Sequence, residues 1–201
     1  MSSHGLPLVV SFFTNDWCYP AHAMRLEQEC RSLGLDCRIE ELPSRGGYIE
    51  NSCHKPAFIL RCLTESNRPV LWVDVDGSIL APPSFFTEPG FDFQARKMNP
   101  ERRRRTWHVG TLWFAPTDAS VEFIEAWVAR TGDMTDESAL DQVWKSRAWP
   151  LRTRDIPAEY FHILRRNERP PPGTVIAHRL SDSASKRHQT PIFESYERLT
   201  G

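Results

Sequence analysis

Several kinds of feature are missing from this sequence, and each absence argues against a class of protein. No apolar run approaches the roughly 20 residues that a transmembrane helix needs. The N-terminus also shows no charged and then apolar leader. We therefore expect a cytoplasmic protein with no membrane span. No two cysteines stand in a CxxC spacing, so a zinc finger is not expected.

The cysteines point to the same compartment. They are five in number and all fall in the first third of the chain, at positions 18, 30, 37, 53 and 62. An odd set without paired spacing is typical of reduced thiols in a reducing compartment. Cys53 and His54 are adjacent, and we interpret this pair as incidental rather than as metal ligands.

Composition favours one globular domain. With 201 residues, of which 40% are hydrophobic and 25% charged, the chain can bury one good core, and two full domains would be crowded. The net charge of −1 conceals a basic region, because residues 147–190 hold 9 basic and 4 acidic side chains. This surplus fits a phosphorylated ligand or an anionic polymer, and it fits a solvated basic surface equally well.

The stretch 69–80, PVLWVDVDGSIL, carries the strongest structural and functional signal in the sequence. Its apolar run is typical of a strand buried on both faces in a mainly parallel sheet, and it leads directly into Asp74 and Asp76. Ligands of such sheets bind beyond the carboxyl ends of the strands. Two carboxylates there are costly to bury without a cation or a shared proton. We predict a divalent-metal site, with solvated loop aspartates as the alternative.

The order of elements predicts the fold class. Strands are expected at 6–14, 36–42 and 69–76, with helices that begin at Pro20 and Lys55 between them. This β-α-β-α-β order predicts an α/β protein with a mainly parallel mixed sheet flanked by helices, with 36–42 near an edge. Further strands are expected at 91–96, 107–115, 151–156 and 174–178, further helices at 117–132 and 136–145, and a loop at 43–53.

Five segments resemble, in order, those of GT-A fold glycosyltransferases, the nucleotide-diphosphosugar transferases with a DxD motif. They are FFTNDWCYPAHAMRL, KPAFILRCL before VLWVDVDGSI, WHVGTLWFAP, ESALDQVW and TVIAHRLSDSASK. The resemblance implies a Rossmann-like GT-A architecture in one domain, residues 1–201. Residues 1–80 would form a nucleotide-binding half and residues 81–190 an acceptor-side half.

The resemblance implies a metal-dependent hexosyltransferase that moves a sugar from a nucleotide sugar, expected to be a UDP-sugar, to an acceptor hydroxyl. Mn²⁺ or Mg²⁺ would be held by Asp74, Asp76 and His178. Carboxylate oxygens suit both cations, and an imidazole suits Mn²⁺ better than Mg²⁺. The alternative for His178 is an ordinary core or surface histidine.

Other residues are implied to contact the donor: Thr14, Asn15, Tyr19, Lys55, Asp74, Gly110 and Lys186. Lys55 stands at a helix N-terminus, where the helix dipole disfavours a cation, so an anionic partner would explain it. The first three residues also suit strand-end and capping roles. Gly110 could instead serve a bulge or a packing need, and Lys186 could be a solvated lysine.

The predicted catalytic residues lie on one helix. Glu137, Asp141 and Gln142 would stand at the reactive face of the sugar, and Asp141 would act as a base or orient donor hydroxyls. The alternative is a solvated face on which Asp141 pairs with Lys145 at i+4.

The run Arg102–Arg105 lies where acceptors bind in the GT-A fold. A solvated segment is one interpretation. Phosphate contacts are the other, and with Trp107 nearby the acceptor could be DNA or another polymer, carrying a modified base.

Two rival functions stay open. VDVDGSIL also resembles the first motif of haloacid-dehalogenase-type phosphatases, in which Asp74 would be the nucleophile of a Mg²⁺-dependent reaction. A non-catalytic binding module would keep the fold without needing the helix of Asp141 and Gln142.

Overall fold

The computed structural model describes residues 5–98, 105–165 and 168–178. Lys186 and Arg102–Arg104 lie outside these ranges. The strands are β1 (Leu8–Phe13), β2 (Cys37–Glu41), β3 (Val70–Val73), β4 (Ser78–Ile79), β5 (Phe93–Lys97), β6 (Trp107–Phe114), β7 (Thr153–Asp155), β8 (His162–Ile163) and β9 (Ile176–His178). The α-helices are α1 (Tyr19–Ser32), α2 (Tyr48–Ser52), α3 (His54–Ser66), α4 (Asp118–Arg130) and α5 (Asp136–Ser146).

The main sheet has six strands in the order β2-β1-β3-β6-β5-β7. Strands β2, β1 and β3 run parallel, as the two β-α-β crossovers require. Strand β6 is antiparallel to both β3 and β5, and β7 is parallel to β5. The prediction of a mainly parallel mixed sheet flanked by helices is therefore confirmed, and β2 lies at the predicted edge.

The helices cover both faces of this sheet, and neighbouring strand residues face opposite cores. Trp72 packs with Phe58 and Ile59 of α3 and with the buried side of α4 and α5. Leu71, one residue earlier, packs with Leu26 of α1 on the other face. Both faces are buried because side chains alternate along a strand. The uninterrupted apolar run of β3 follows from this position.

Two local features differ from the prediction. The loop expected at 43–53 contains the short helix α2, which buries none of its residues and so carries no apolar periodicity. The last strand, β9, joins a separate three-stranded sheet in the order β4-β9-β8. Strands β4 and β8 have two residues each, too few to show a pattern.

Two expectations from composition can be compared with the described residues. All five cysteines are free, as expected for reduced thiols. Among the helices of the described ranges, none combines the length and the apolar character that crossing a bilayer would require.

Candidate active site

A cleft of about 220 Å³ opens beyond the carboxyl ends of β1 and β3. The end of β1, the start of α1, helix α2 and the segment after β3 form its walls. Five of the residues predicted for the donor or metal site line it: Thr14, Tyr19, Lys55, Asp74 and Asp76. They meet because parallel neighbouring strands end at the same edge of the sheet.

Lys55 forms the centre of a buried ionic cluster. Its Nζ lies 2.9 Å from Asp74 Oδ1 and 2.6 Å from Asp136 Oδ2, and its side chain is 8% exposed. The indole N–H of Trp72 donates to the same Asp74 oxygen at 2.8 Å. Burial by itself lowers the pKa of Lys55, but Asp136 and Asp74 outweigh it and hold this pKa above its ordinary value. The anion that the helix position of Lys55 called for is thus supplied by the protein itself.

The cleft carries an excess of negative charge. Asp74, Asp76 and Asp136 all line it, together with the single cation of Lys55. Burial, and then repulsion from Asp76 and Asp136, raises the pKa of Asp74 even though Lys55 opposes the shift. A cleft with this imbalance favours a cation or a proton as its ligand.

Two glycines next to the carboxylates allow close packing that a larger residue would prevent. A Cβ on Gly77 would lie 2.9 Å from the carbonyl oxygen of Asp74, and one on Gly110 would lie 3.1 Å from the ring of His178 and from that of Phe161. The packing alternative for Gly110 is therefore what the structure shows. Whether its backbone also approaches a sugar stays a prediction.

His178 is buried beside the site rather than in the wall of the cleft. Its Nε2 forms a 2.7 Å hydrogen bond with Thr111 Oγ1, and its ring lies 4.6 Å from that of Phe161. Burial lowers the pKa of His178 to about 4. In this arrangement the imidazole is neutral at physiological pH and engaged by protein groups.

The residues of the cleft fit a divalent cation in part. Asp74 and Asp76 offer the oxygen ligands that Mg²⁺ and Mn²⁺ take, in a site with surplus negative charge. Across the described ranges no three His, Cys, Asp or Glu side chains are grouped as a metal centre, so His178 does not complete the set in this arrangement.

The three predicted catalytic residues lie outside the cleft lining. Asp141 accepts from the Thr106 backbone N–H at 2.9 Å and pairs with Lys145 at 2.7 Å. Gln142 accepts from Arg130 at 2.6 Å. Glu137 forms an ion pair with Arg105. The i+4 pair that was the alternative for Asp141 is present, and the described end of the arginine run is held by α5.

Asp136 is the acid of α5 that reaches the cleft, and the sequence reasoning missed it. It is 1% exposed, and its backbone N–H donates to Ser52 Oγ of α2 at 3.3 Å. A signal was available, since Asp136 stands four residues before Leu140 and seven before Val143, on the apolar face of α5. A carboxylate at such a position needs a buried partner, which is Lys55.

The remaining predicted donor residues differ in their positions. Thr14 is buried and its hydroxyl donates to Asp16 at 3.3 Å. Burial, and then the charge of Asp76, raises the pKa of Tyr19, so its phenol stays protonated in the cleft. Asn15 is exposed and does not line the cleft.

Comparison with solved structures places the fold among glycosyltransferases. A glycosyltransferase involved in the glycosylation of the major capsid of PBCV-1 is 14% identical with a TM-score of 0.66, over 91% of this chain and 98% of that one. WbbM, a bifunctional glycosyltransferase, gives 10% identity and a TM-score of 0.54 over 98% of this chain and 52% of its own. The glycosyltransferase GlyE of Streptococcus pneumoniae gives 13% identity and a TM-score of 0.53, over 88% of this chain and 55% of its own.

The chain therefore spans nearly all of the first of these proteins and about half of the other two. No protein-family model matches the sequence, and no curated protein matches it. The likeness shows a glycosyltransferase fold.

Proposed function

We propose that the protein is a glycosyltransferase that binds a nucleotide sugar, with a UDP-hexose as the expected donor, in the cleft beyond β1 and β3. The observation that carries the proposal is the placement of Asp74, Asp76 and Asp136 around Lys55 in this cleft, on a fold whose neighbours transfer sugars. Carboxylates in excess of cations at a sheet edge suit a ligand that arrives with a divalent metal.

Asp74 and Asp76 would hold Mn²⁺ or Mg²⁺, and His178 would join them only if its bond to Thr111 were exchanged for the metal. When bound, such a cation stabilises the charge that develops on a departing diphosphate. The proposal needs only the two carboxylates from this chain as direct ligands.

The other residues of the cleft would orient the donor. Thr14 and Tyr19, at the end of β1 and the start of α1, would contact its base and ribose, and Tyr19 would bring a protonated phenol. Asp136, which also lines the cleft, would accept hydrogen bonds from donor hydroxyls. Lys55 would hold the Asp74 and Asp136 side chains in place through its two short ion pairs.

The proposed acceptor is a hydroxyl group. If Arg102–Arg104 bind phosphates, that hydroxyl belongs to DNA or another polymer. Arg105 is occupied by Glu137 and by Ser138, whose hydroxyl accepts at 2.9 Å. Replacing Arg102–Arg104 by glutamine should weaken polymer binding and flatten its salt dependence. Unchanged transfer to a polymer at high salt would remove this part of the proposal.

The principal test is donor turnover with a panel of nucleotide sugars and Mn²⁺, in wild type, Asp76→Ala and Asp136→Asn. We expect wild type to release nucleoside diphosphate and a chelator to stop the reaction. The rate in Asp76→Ala should fall at least about a hundredfold, which is in the range that single electrostatic groups contribute. Glu125→Ala, an exposed carboxylate on α4, is the matched control. Full turnover in chelator, or in Asp76→Ala, would contradict the proposal.

A further inference from the structure

Two side chains of α1 hold the backbone that carries Asp76. Arg25 donates from Nη2 to the carbonyl oxygen of Gly77 at 2.5 Å and to that of Val75 at 3.3 Å. These two carbonyls belong to the residues on either side of Asp76. A guanidinium is suited to this task, because its planar fork of donors can bind two acceptors at once.

Glu29, one helical turn after Arg25, binds the residues that follow. Its Oε2 accepts from the backbone N–H of Ile79 at 2.9 Å, and its Oε1 accepts from the hydroxyl of Ser78 at 2.7 Å. The same Oε1 lies 2.7 Å from Nη1 of Arg25. Helix α1 therefore contacts the chain from Val75 to Ile79 through one connected pair of charges.

These contacts differ from an ordinary surface ion pair. The Arg25 and Glu29 side chains are only 11% and 17% exposed, so their hydrogen bonds are little screened by water. Together they bind four groups of the segment Val75–Ile79, and three of these groups belong to the backbone. Spacing at i and i+4 puts both side chains on the same face of α1.

Other contacts that hold this segment come from its own turn and from a short strand pairing. Within the turn, the N–H of Gly77 donates to the carbonyl of Asp74 at 2.7 Å. Strand β4 then has two residues, which pair with β9 through Ser78 and Ile79. The turn geometry, the pairing of β4 with β9 and the contacts from α1 therefore all bear on the position of Asp76 relative to Asp74.

We propose that Arg25 and Glu29 are positioning residues for the cation and donor site. By holding the backbone on both sides of Asp76, they set the separation and orientation of the Asp74 and Asp76 carboxylates. This inference rests on the proposed function for its consequence, since those carboxylates are the expected ligands of the donor's cation. Neither Arg25 nor Glu29 lines the cleft, so neither is proposed to touch substrate.

The test uses Arg25→Met, Arg25→Lys and Glu29→Gln, with Arg31→Met as the matched control, because Arg31 is exposed on the last turn of the same helix. Two measurements are made on the protein without donor. The first is amide hydrogen exchange at Gly77 and Ile79, and the second is the Kd for Mn²⁺ alone by calorimetry.

In Arg25→Met we expect exchange at these amides to quicken about tenfold and the Kd for Mn²⁺ to rise about tenfold, as loss of a charge-assisted hydrogen bond implies. Arg25→Lys should recover part of both effects, because a lysine can bind one carbonyl and Glu29. If Arg25→Met fails to fold, Glu29→Gln and Arg25→Lys give the same comparison in milder form. Exchange and Mn²⁺ affinity equal to those of Arg31→Met would overturn the inference.

The two proposals fail in different ways. Altered exchange and Mn²⁺ affinity in a protein that transfers no sugar would leave the positioning role standing and remove the proposed function. If wild type binds no Mn²⁺, the proposed cation site fails, and the exchange rates alone decide whether α1 positions the turn. Donor turnover that falls in kcat with Arg25→Met, and recovers with Arg25→Lys, would support both.

Discussion

Replacing Lys55 by methionine is the sharpest perturbation of the site that the structure offers. Methionine keeps most of the side-chain stem and removes the charge that lies 2.9 Å from Asp74 and 2.6 Å from Asp136. Breaking a buried pair by removing one partner costs about 3–5 kcal/mol, because the remaining charge stays buried without compensation. We expect Lys55→Met to lower the free energy of unfolding by that amount near neutral pH.

Lys145→Met is the matched control. Lys145 pairs with Asp141 at 2.7 Å, but its side chain is 53% exposed. Solvent screens such a pair, so its loss should cost only about 0.2–1 kcal/mol. Urea unfolding followed by tryptophan fluorescence would measure both variants against wild type.

The pH dependence of the Lys55→Met effect has a definite sign. Lys55 lowers the pKa of Asp74, so its removal raises that pKa further above the ordinary value of 3.8. The folded variant then binds a proton more tightly than the unfolded chain, and lowering the pH from about 7 to about 5 should shrink the difference from wild type. In wild type the raised pKa of Lys55 supplies stability below about pH 10.5, lost as the pH rises above it. Equal costs for Lys55→Met and Lys145→Met, or a difference that grows at lower pH, would refute the reasoning.

Three further predictions concern other parts of the molecule. Asp92 accepts from Arg152 at Nε and Nη2, which lowers its pKa to about 2; Asp92→Asn should cost about 1–3 kcal/mol in urea unfolding. Wild type should lose that contribution to the free energy of unfolding as the pH falls from about 3.8 through about 2. The same acid dependence of unfolding in Asp92→Asn as in wild type would contradict this prediction. Gly77→Ala should cost about 1–3 kcal/mol because its Cβ meets Asp74 at 2.9 Å, while Gly132→Ala, with no neighbour within 4 Å, should be near neutral. UDP with Mn²⁺ at about 100 times its Kd should stabilise the fold by about 2.7 kcal/mol, measured as a rise in Tm that UDP without metal does not produce.

Local patterns were sufficient to predict most of the fold. The four consecutive apolar residues of Val70–Val73 predict a strand covered on both faces, and that is where β3 lies. The helix expected at 117–132 is present as α4, which follows Thr117, and the Thr117 hydroxyl accepts from the backbone N–H of Ser120. Such features depend on residues close together in the chain, so the sequence carries them directly.

The meeting of Thr14, Lys55 and Asp74 in one cleft could also be predicted, because the ends of parallel neighbouring strands lie together. The choice among the acids of α5 could not be made as safely. Asp136 and Asp141 are five residues apart on one helix, and only the position of α5 in the folded protein shows that Asp136 meets Lys55 while Asp141 turns toward Thr106.

The amino-acid sequence by itself determined most of the strands and helices, and that strand ends carry carboxylates. The tertiary structure decided which charges pair, that His178 is buried against Thr111, and that α1 reaches the turn after β3. The physical reason is that periodicity along a chain reports which faces are buried. Contacts between distant segments depend on how those faces are brought together.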